Sequence, residues 1–152
     1  MRWHRYYWLL APFTLPNVLI SLLLAAFYRP TSARWHDGCL ELVAGTYDDG
    51  STRIWGSPGA QCLGCQVVWF RSERHRDKGW LAVHERVHAI HGLWGLGVVF
   101  AVAYLGHFLY EWARDGFGQW RPAYRRIWSE RIAYRIDHEY MVGLRPEAWG
   151  DR

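Results

Sequence analysis

Cysteine is scarce in this chain. Cys39, Cys62 and Cys65 are too few, and odd in number, for a disulfide framework, so the fold must rest on a packed core. The one pairing left open is a Cys62–Cys65 bridge in an oxidising compartment. No run of five or six like charges occurs, which excludes a dedicated basic or acidic tail. A net charge of +4 and a pI near 9.1 give only weak attraction to anionic lipid or nucleic acid. No internal repeat or low-complexity tract appears, which argues against a repeat array. Bulky Phe27 and Tyr28 stand after the first apolar run where a signal-peptide cleavage site needs small residues, which argues against a cleaved leader.

What the chain does have is aromatic and apolar mass. Its 152 residues, 51% apolar and 17% aromatic with 11 Trp and 9 Tyr, are the length of one domain that can bury a real core. The mean hydropathy is nevertheless only -0.20, because Arg and His interleave with the rings. That mixture suits a membrane interface, where amphipathic rings and long cations both find partners. A wet protein or nucleic-acid surface would use it too.

Three regions follow along the single domain 1–152: an apolar N-terminal segment (1–30), a small β region (31–76) and a helical region (77–152). Arg2 and Arg5 precede an apolar run from Tyr6 to Phe27, long enough to cross a hydrocarbon core of roughly 30 Å as a helix. Pro12, Pro16 and Asn17 interrupt it, and the uninterrupted remainder, Val18 to Tyr28, is too short to span. A kinked or re-entrant membrane helix is the expectation. "CLELVAG" and "QCLGCQVVWFR", separated by the Gly-, Asp- and Ser-rich "TYDDGSTRIWGSPGA", read as two or three strands of a small antiparallel sheet. After a charged loop, 71–79, helices are expected over Trp80–His91, Val98–Arg114 and Pro122 to about Val142. The fold class is therefore α+β, and the middle helix is apolar enough to be a second membrane candidate.

Within "WLAVHERVHAIHG" lies His84-Glu85-Arg86-Val87-His88, an H-E-x-x-H motif. Residues i and i+4 of a helix lie one above the other, so His84 and His88 can offer two imidazoles to one tetrahedral ion. Glu85 sits about 100° round the helix, beside the ion and off the ligand axis, where a general base is needed. No Pro or Gly falls between Trp80 and His91. His, Glu and His on one side of an otherwise apolar helix would also carry a desolvation cost unless paired or bound to metal.

A catalytic zinc takes three protein ligands and a water, so a third donor must come from elsewhere. On a straight helix His107 would lie roughly 28 Å from His88, out of reach at about 1.5 Å per residue. Gly92, Gly95 and Gly97 offer a break. If the chain reverses there, the helix from Pro122 brings Glu130 toward the pair; otherwise Glu139 or Glu147 is better placed. His91, one turn past His88, is expected to contact the site without ligating.

"HERVHAIHGLWGLGVVFAVAYL", followed by "RIWSERIAYRID", resembles a group of small bacterial membrane-associated proteins with an HERxH helix, a glycine-containing apolar segment and a later helix carrying a Glu. The group is similar in turn to the gluzincin-type zinc metallopeptidases, which use two His and one Glu as ligands. The resemblance implies Zn2+ held by His84, His88 and Glu130, with Glu85 as base and a peptide or protein as substrate. Two departures stand out: His91 replaces the group's usual Gln, and "RIWSE" lacks the Asn, Pro and Phe that normally precede the Glu.

Other features have blander readings. Cys62-x-x-Cys65 lacks the second half of a four-ligand site, with only His36 and Cys39 to complete it, and reads as strand cysteines around a turn at Gly64. His107 reads as a hydrogen-bonded core histidine. "RPAYRRIWSERIAYRIDHEY" is amphipathic: either Glu130 pairs with Arg126 four residues away, or the helix lies on anionic lipid. Trp3, Trp8, Trp94, Trp112, Trp120 and Trp128 near the ends of apolar runs favour the lipid surface. Membrane association, in a bacterial or viral setting, with lipid and not nucleic acid as partner, is thus expected of a zinc hydrolase. The contrasting expectation is a non-enzymatic membrane or assembly protein whose motif helix binds a structural metal or none.

Overall fold

The structure, a computed structural model, describes residues 4–54 and 59–143, and the side chains from Pro12 onward within those ranges. Glu147, Arg2, Trp3 and the side chains of Arg5 and Trp8 lie outside the described residues.

Four strands form one sheet in the order β1-β2-β4-β3, with β1 at Ser32–His36, β2 at Cys39–Val43, β3 at Ala60–Cys62 and β4 at Val67–Phe70. The sheet is mixed, not antiparallel as the sequence suggested: β1–β2 and β3–β4 are antiparallel, but β2 and β4 run parallel with Leu40 opposite Val67. Alternation of side chains reports faces and is blind to strand direction, so the parallel pair was not legible. The continuous apolar run of β4, Val67-Val68-Trp69-Phe70, is the sign of a central strand covered on both sides, and all four residues are buried.

One cover is the motif helix α4 (Gly79–Trp94), whose Leu81, Ala82 and Ala89 join Cys39, Val43, Val68 and Phe70 in one core cluster. The other comes from α1 (His4–Leu23) and the short α2 (Ala25–Tyr28): Tyr28, Val18, Leu24 and Ala25 meet Leu42, Val67 and Trp69 in a second. Pro12 and Pro16 do not end α1 as expected; both are exposed within it. The side of α1 that faces the protein is polar. Thr14 bonds Gln66 (3.0 Å), Asn17 donates to the Leu63 carbonyl (2.7 Å), and Ser21 accepts from the Trp69 indole (3.2 Å). All three are buried, while Phe13, Leu15, Leu19, Ile20, Leu23 and Phe27 face outward.

Beyond the sheet, a single-turn α3 (Glu73–Arg76) occupies the expected charged loop. After α4 the chain bends by 116° through Gly95-Leu96-Gly97 into α5 (Val98–Arg114). Gly97 has φ +62 and lies so close to α1 that a Cβ there would come 2.4 Å from the Phe13 carbonyl, so this turn requires glycine. The helix expected over 122–142 is two helices, α6 (Trp120–Arg126) and α7 (Trp128–Met141), separated at Ile127, whose ψ of 134 is extended. Three helices of more than one turn therefore follow the motif helix, where two were expected. Helix α7 packs along α4. No single described helix is long and apolar enough to cross a membrane; the bent pair α4–α5 passes by length and composition together.

Candidate metal centre

Helix α4 divides its residues between two environments. Arg86 points to the sheet, where it bonds Asp37 (2.8 Å) and Glu41 (3.1 Å). His84 and His88 point the other way, toward α7. Their Nε2 atoms lie 3.3 Å apart, as expected for i and i+4 on one face.

Glu130, in the first turn of α7 and 1% exposed, closes the group. Its Oε1 lies 3.1 Å from His88 Nε2 and its Oε2 lies 3.3 Å from His84 Nε2. Tetrahedral zinc with ligand bonds of about 2.0–2.1 Å places neighbouring donors about 3.3–3.4 Å apart. The two imidazole nitrogens are at that spacing, and each meets one oxygen of the Glu130 carboxylate, Oε1 for His88 and Oε2 for His84, so one donor atom from each of the three residues lies within 4.8 Å of the others. The pairing of Glu130 with Arg126 does not occur. The break at Ile127 places Arg126 on another helix, where it bonds Glu111 (2.7 Å) and Asp115.

The outer ring nitrogens are held as well. His84 Nδ1 is 2.9 Å from Asp137 Oδ2, one face further along α7, and His88 Nδ1 is 3.0 Å from Ser129 Oγ. A carboxylate on Nδ1–H keeps the proton there and turns the Nε2 lone pair to the centre, the arrangement that supports a metal-bound histidine. Ser129 Oγ also meets His91 Nδ1 at 2.8 Å. One hydroxyl can accept from His88 and donate to His91, so His91 contacts the site through Ser129. Tyr104 of α5 donates to Glu130 Oε1 at 2.5 Å, and the Tyr134 ring stands edge-on to His84 at 4.8 Å.

The electrostatics follow from this packing. Burial works against a charged His84, but the Glu130 hydrogen bond, the Glu85 charge and Asp137 outweigh it and raise its pKa to about 9. Burial, reinforced by the neighbouring His88, pushes His91 down to about 4. Glu130 is buried too, yet its contacts with both histidines hold its carboxyl far below the ordinary range. Burial raises the Glu85 carboxyl, with His88 and His84 pulling the other way. Glu85 lines the cleft that His84, His88 and Glu130 also border.

No protein-family model, curated protein or solved structure matches this chain.

His84, His88 and Glu130 are brought together, with Glu85 beside them; among the described residues they are the one group spaced to hold an ion. Glu139, the alternative carboxylate, lies on α7 outside that group. Cys62 and Cys65 are free thiols, and Cys62 Sγ lies 3.3 Å from the Cys65 carbonyl across the turn at Gly64. His36 is engaged with Glu41 at 3.5 Å, and Cys39 is buried in the core with its thiol pushed up to about 12, by burial first. His107 Nδ1 accepts from the Trp128 backbone at 3.2 Å.

Sequence reasoning missed Asp137 and Ser129. Asp137 follows Glu130 by seven residues, two turns along one helix face, and that spacing could have found it. Because Asp137 orients His84, Asp137→Asn is expected to weaken metal binding about 10- to 100-fold with the fold intact. Competition titration against a chelator, with circular dichroism as the control, checks this.

Proposed function

We propose that the chain is a zinc-dependent hydrolase that cleaves amide bonds in peptides. The observation that carries the proposal is the meeting of two imidazole nitrogens 3.3 Å apart with the two oxygens of one carboxylate at 3.1 and 3.3 Å, the histidines oriented from behind by Asp137 and Ser129. Zinc bound there supplies a water of lowered pKa and polarises the scissile carbonyl. His84, His88 and Glu130 hold and position. Glu85, buried at the wall of the cleft, takes a proton from water and returns it to the leaving amine. Space for a substrate exists: the cleft beside these residues measures about 1110 Å³ and is bordered by Trp80, Tyr104, Tyr124 and Tyr134.

A membrane lipid partner belongs to the same proposal. It is supported by α1, whose Thr14, Asn17 and Ser21 are buried while Phe13, Leu15, Leu19, Ile20, Leu22 and Leu23 face out, the reverse of a helix folded in water. The charge balance gives no comparable support to nucleic acid.

The experiment is metal content. Purified chain should carry about one zinc, and His84→Ala or Glu130→Ala should remove it. Since a proton holds His84 Nε2 up to a pH of about 9 in the metal-free chain, uptake should release protons at neutral pH and tighten as pH rises toward that value. Wild-type content in both variants would defeat the proposal, leaving a non-enzymatic membrane protein as the better reading.

A further inference from the structure

The cleft beside the metal site and the outward apolar faces of α1 and α5 share residues. Ile20 and Ala101 line the cleft, and both are exposed. Ile20 belongs to a stretch, 12–28, that contains no charged residue. Ala101 belongs to another, 98–110, where His107 is the sole ionisable side chain apart from tyrosine.

Helix α5, like α1, turns apolar residues outward. Phe100 and Glu111 are its buried residues, whereas Val98, Val99, Val102, Leu105, Leu109 and Tyr110 are exposed, Val102 to 67%. Water would oppose such a surface at about 25 cal/mol per Å². Hydrocarbon would not, and the hydrogen-bonded, protein-facing Thr14, Asn17 and Ser21 are what a helix in lipid requires of its polar groups. Following α5, the exposed Arg114, Arg121, Arg125 and Arg131 accompany Trp120 and Trp128. These complement anionic headgroups at the edge of a bilayer.

We infer that the cleft opens between α1 and α5 into the bilayer, and that the substrate is a peptide segment held in the membrane, reaching Glu85 laterally. The inference rests on the hydrolase reading for the bond that is cleaved; the direction of entry rests on Ile20, Ala101 and the outward apolar faces of α1 and α5 alone. A segment confined to the bilayer is concentrated at such an opening, whereas a water-soluble peptide of the same local sequence is not.

The test uses the full chain in vesicles of phosphatidylcholine and phosphatidylglycerol, with photoreactive p-benzoylphenylalanine replacing Ile20, Ala101 or, as control, Asp48 of the exposed β2–β3 loop. Irradiation should give phospholipid adducts at positions 20 and 101 and none at 48. Adding a lysine-flanked polyleucine peptide to the bilayer should replace lipid by peptide adducts at position 101. A soluble peptide without the polyleucine should be captured on the order of a hundredfold less. Adducts only to a second copy of the chain, absence of lipid adducts at both positions, or equal capture of the soluble peptide would overturn the inference. Adduct formation needs no turnover, so a chain that takes up no zinc would fail the hydrolase reading while these positions still report the opening.

Discussion

Glu85→Gln is expected to retain about one zinc per chain and to lose hydrolysis by about 10²- to 10⁴-fold, the usual contribution of a positioned acid–base group. Gln keeps the shape and polarity of the side chain, so α4 and its packing should survive. It cannot accept a proton at neutral pH, and the step assigned to Glu85 stops there. The ligand trio is separate from this carboxylate: His84, His88 and Glu130 meet one another at 3.1–3.3 Å without it. Turnover of a quenched fluorescent peptide, read beside metal content, checks both halves. Unchanged turnover in Glu85→Gln would remove Glu85 from the mechanism.

The second large effect is on stability. Arg86 lies between His84 and His88 in sequence but serves the opposite side of α4, where it is buried against Glu41, itself 1% exposed. Glu41 has two further partners, the half-exposed Arg34 at 2.6 Å and His36 at 3.5 Å. Arg86→Ala leaves that buried carboxylate undercompensated and opens space beneath the helix. Breaking a buried pair in this way costs about 3–5 kcal/mol. Urea unfolding monitored by tryptophan fluorescence should show the midpoint fall with little change in slope. A loss below about 1 kcal/mol would mean that Arg34 and His36 together satisfy Glu41.

Arg86 also shows how the motif region could be read and where reading stopped. The histidines and Glu85 were legible because an i, i+4 spacing is a property of one helix. Arg86 occupies the same five residues, yet its role depends on Glu41, which sits at a strand position flanked by apolar neighbours. A lone carboxylate in "CLELV" reads as the solvent-facing member of an alternating strand. Covering both faces of the sheet, α4 on one side and α1 with α2 on the other, buried it instead.

The prolines of α1 misled for a related reason. In water Pro12 and Pro16 argue for a break, because each removes a backbone donor and crowds the preceding turn. Helix α1 carries both on its outer side and continues, with Thr14, Asn17 and Ser21 anchoring the inner side to Gln66, Leu63 and Trp69. Those three polar residues fall at intervals of three and four, a helical stripe visible in the sequence. Which way the stripe faced was not.

By itself, then, the sequence determined the local half of the site: a helix without breakers from Trp80 to His91, two imidazoles on one face, a carboxylate beside them and a glycine-rich turn after them. It also determined the α+β class, through runs whose periods differ. The choice of Glu130 over Glu139 for the third donor was made by tertiary structure, as were the support from Asp137 and Ser129, the parallel strand pair and the outward turn of the apolar faces. The physical reason is range. Helical spacing is set within a few residues by backbone hydrogen bonds, whereas the meeting of positions 88 and 130 depends on the 116° bend after α4 and the break at Ile127 together, so small changes at either turn would bring a different residue to the two histidines.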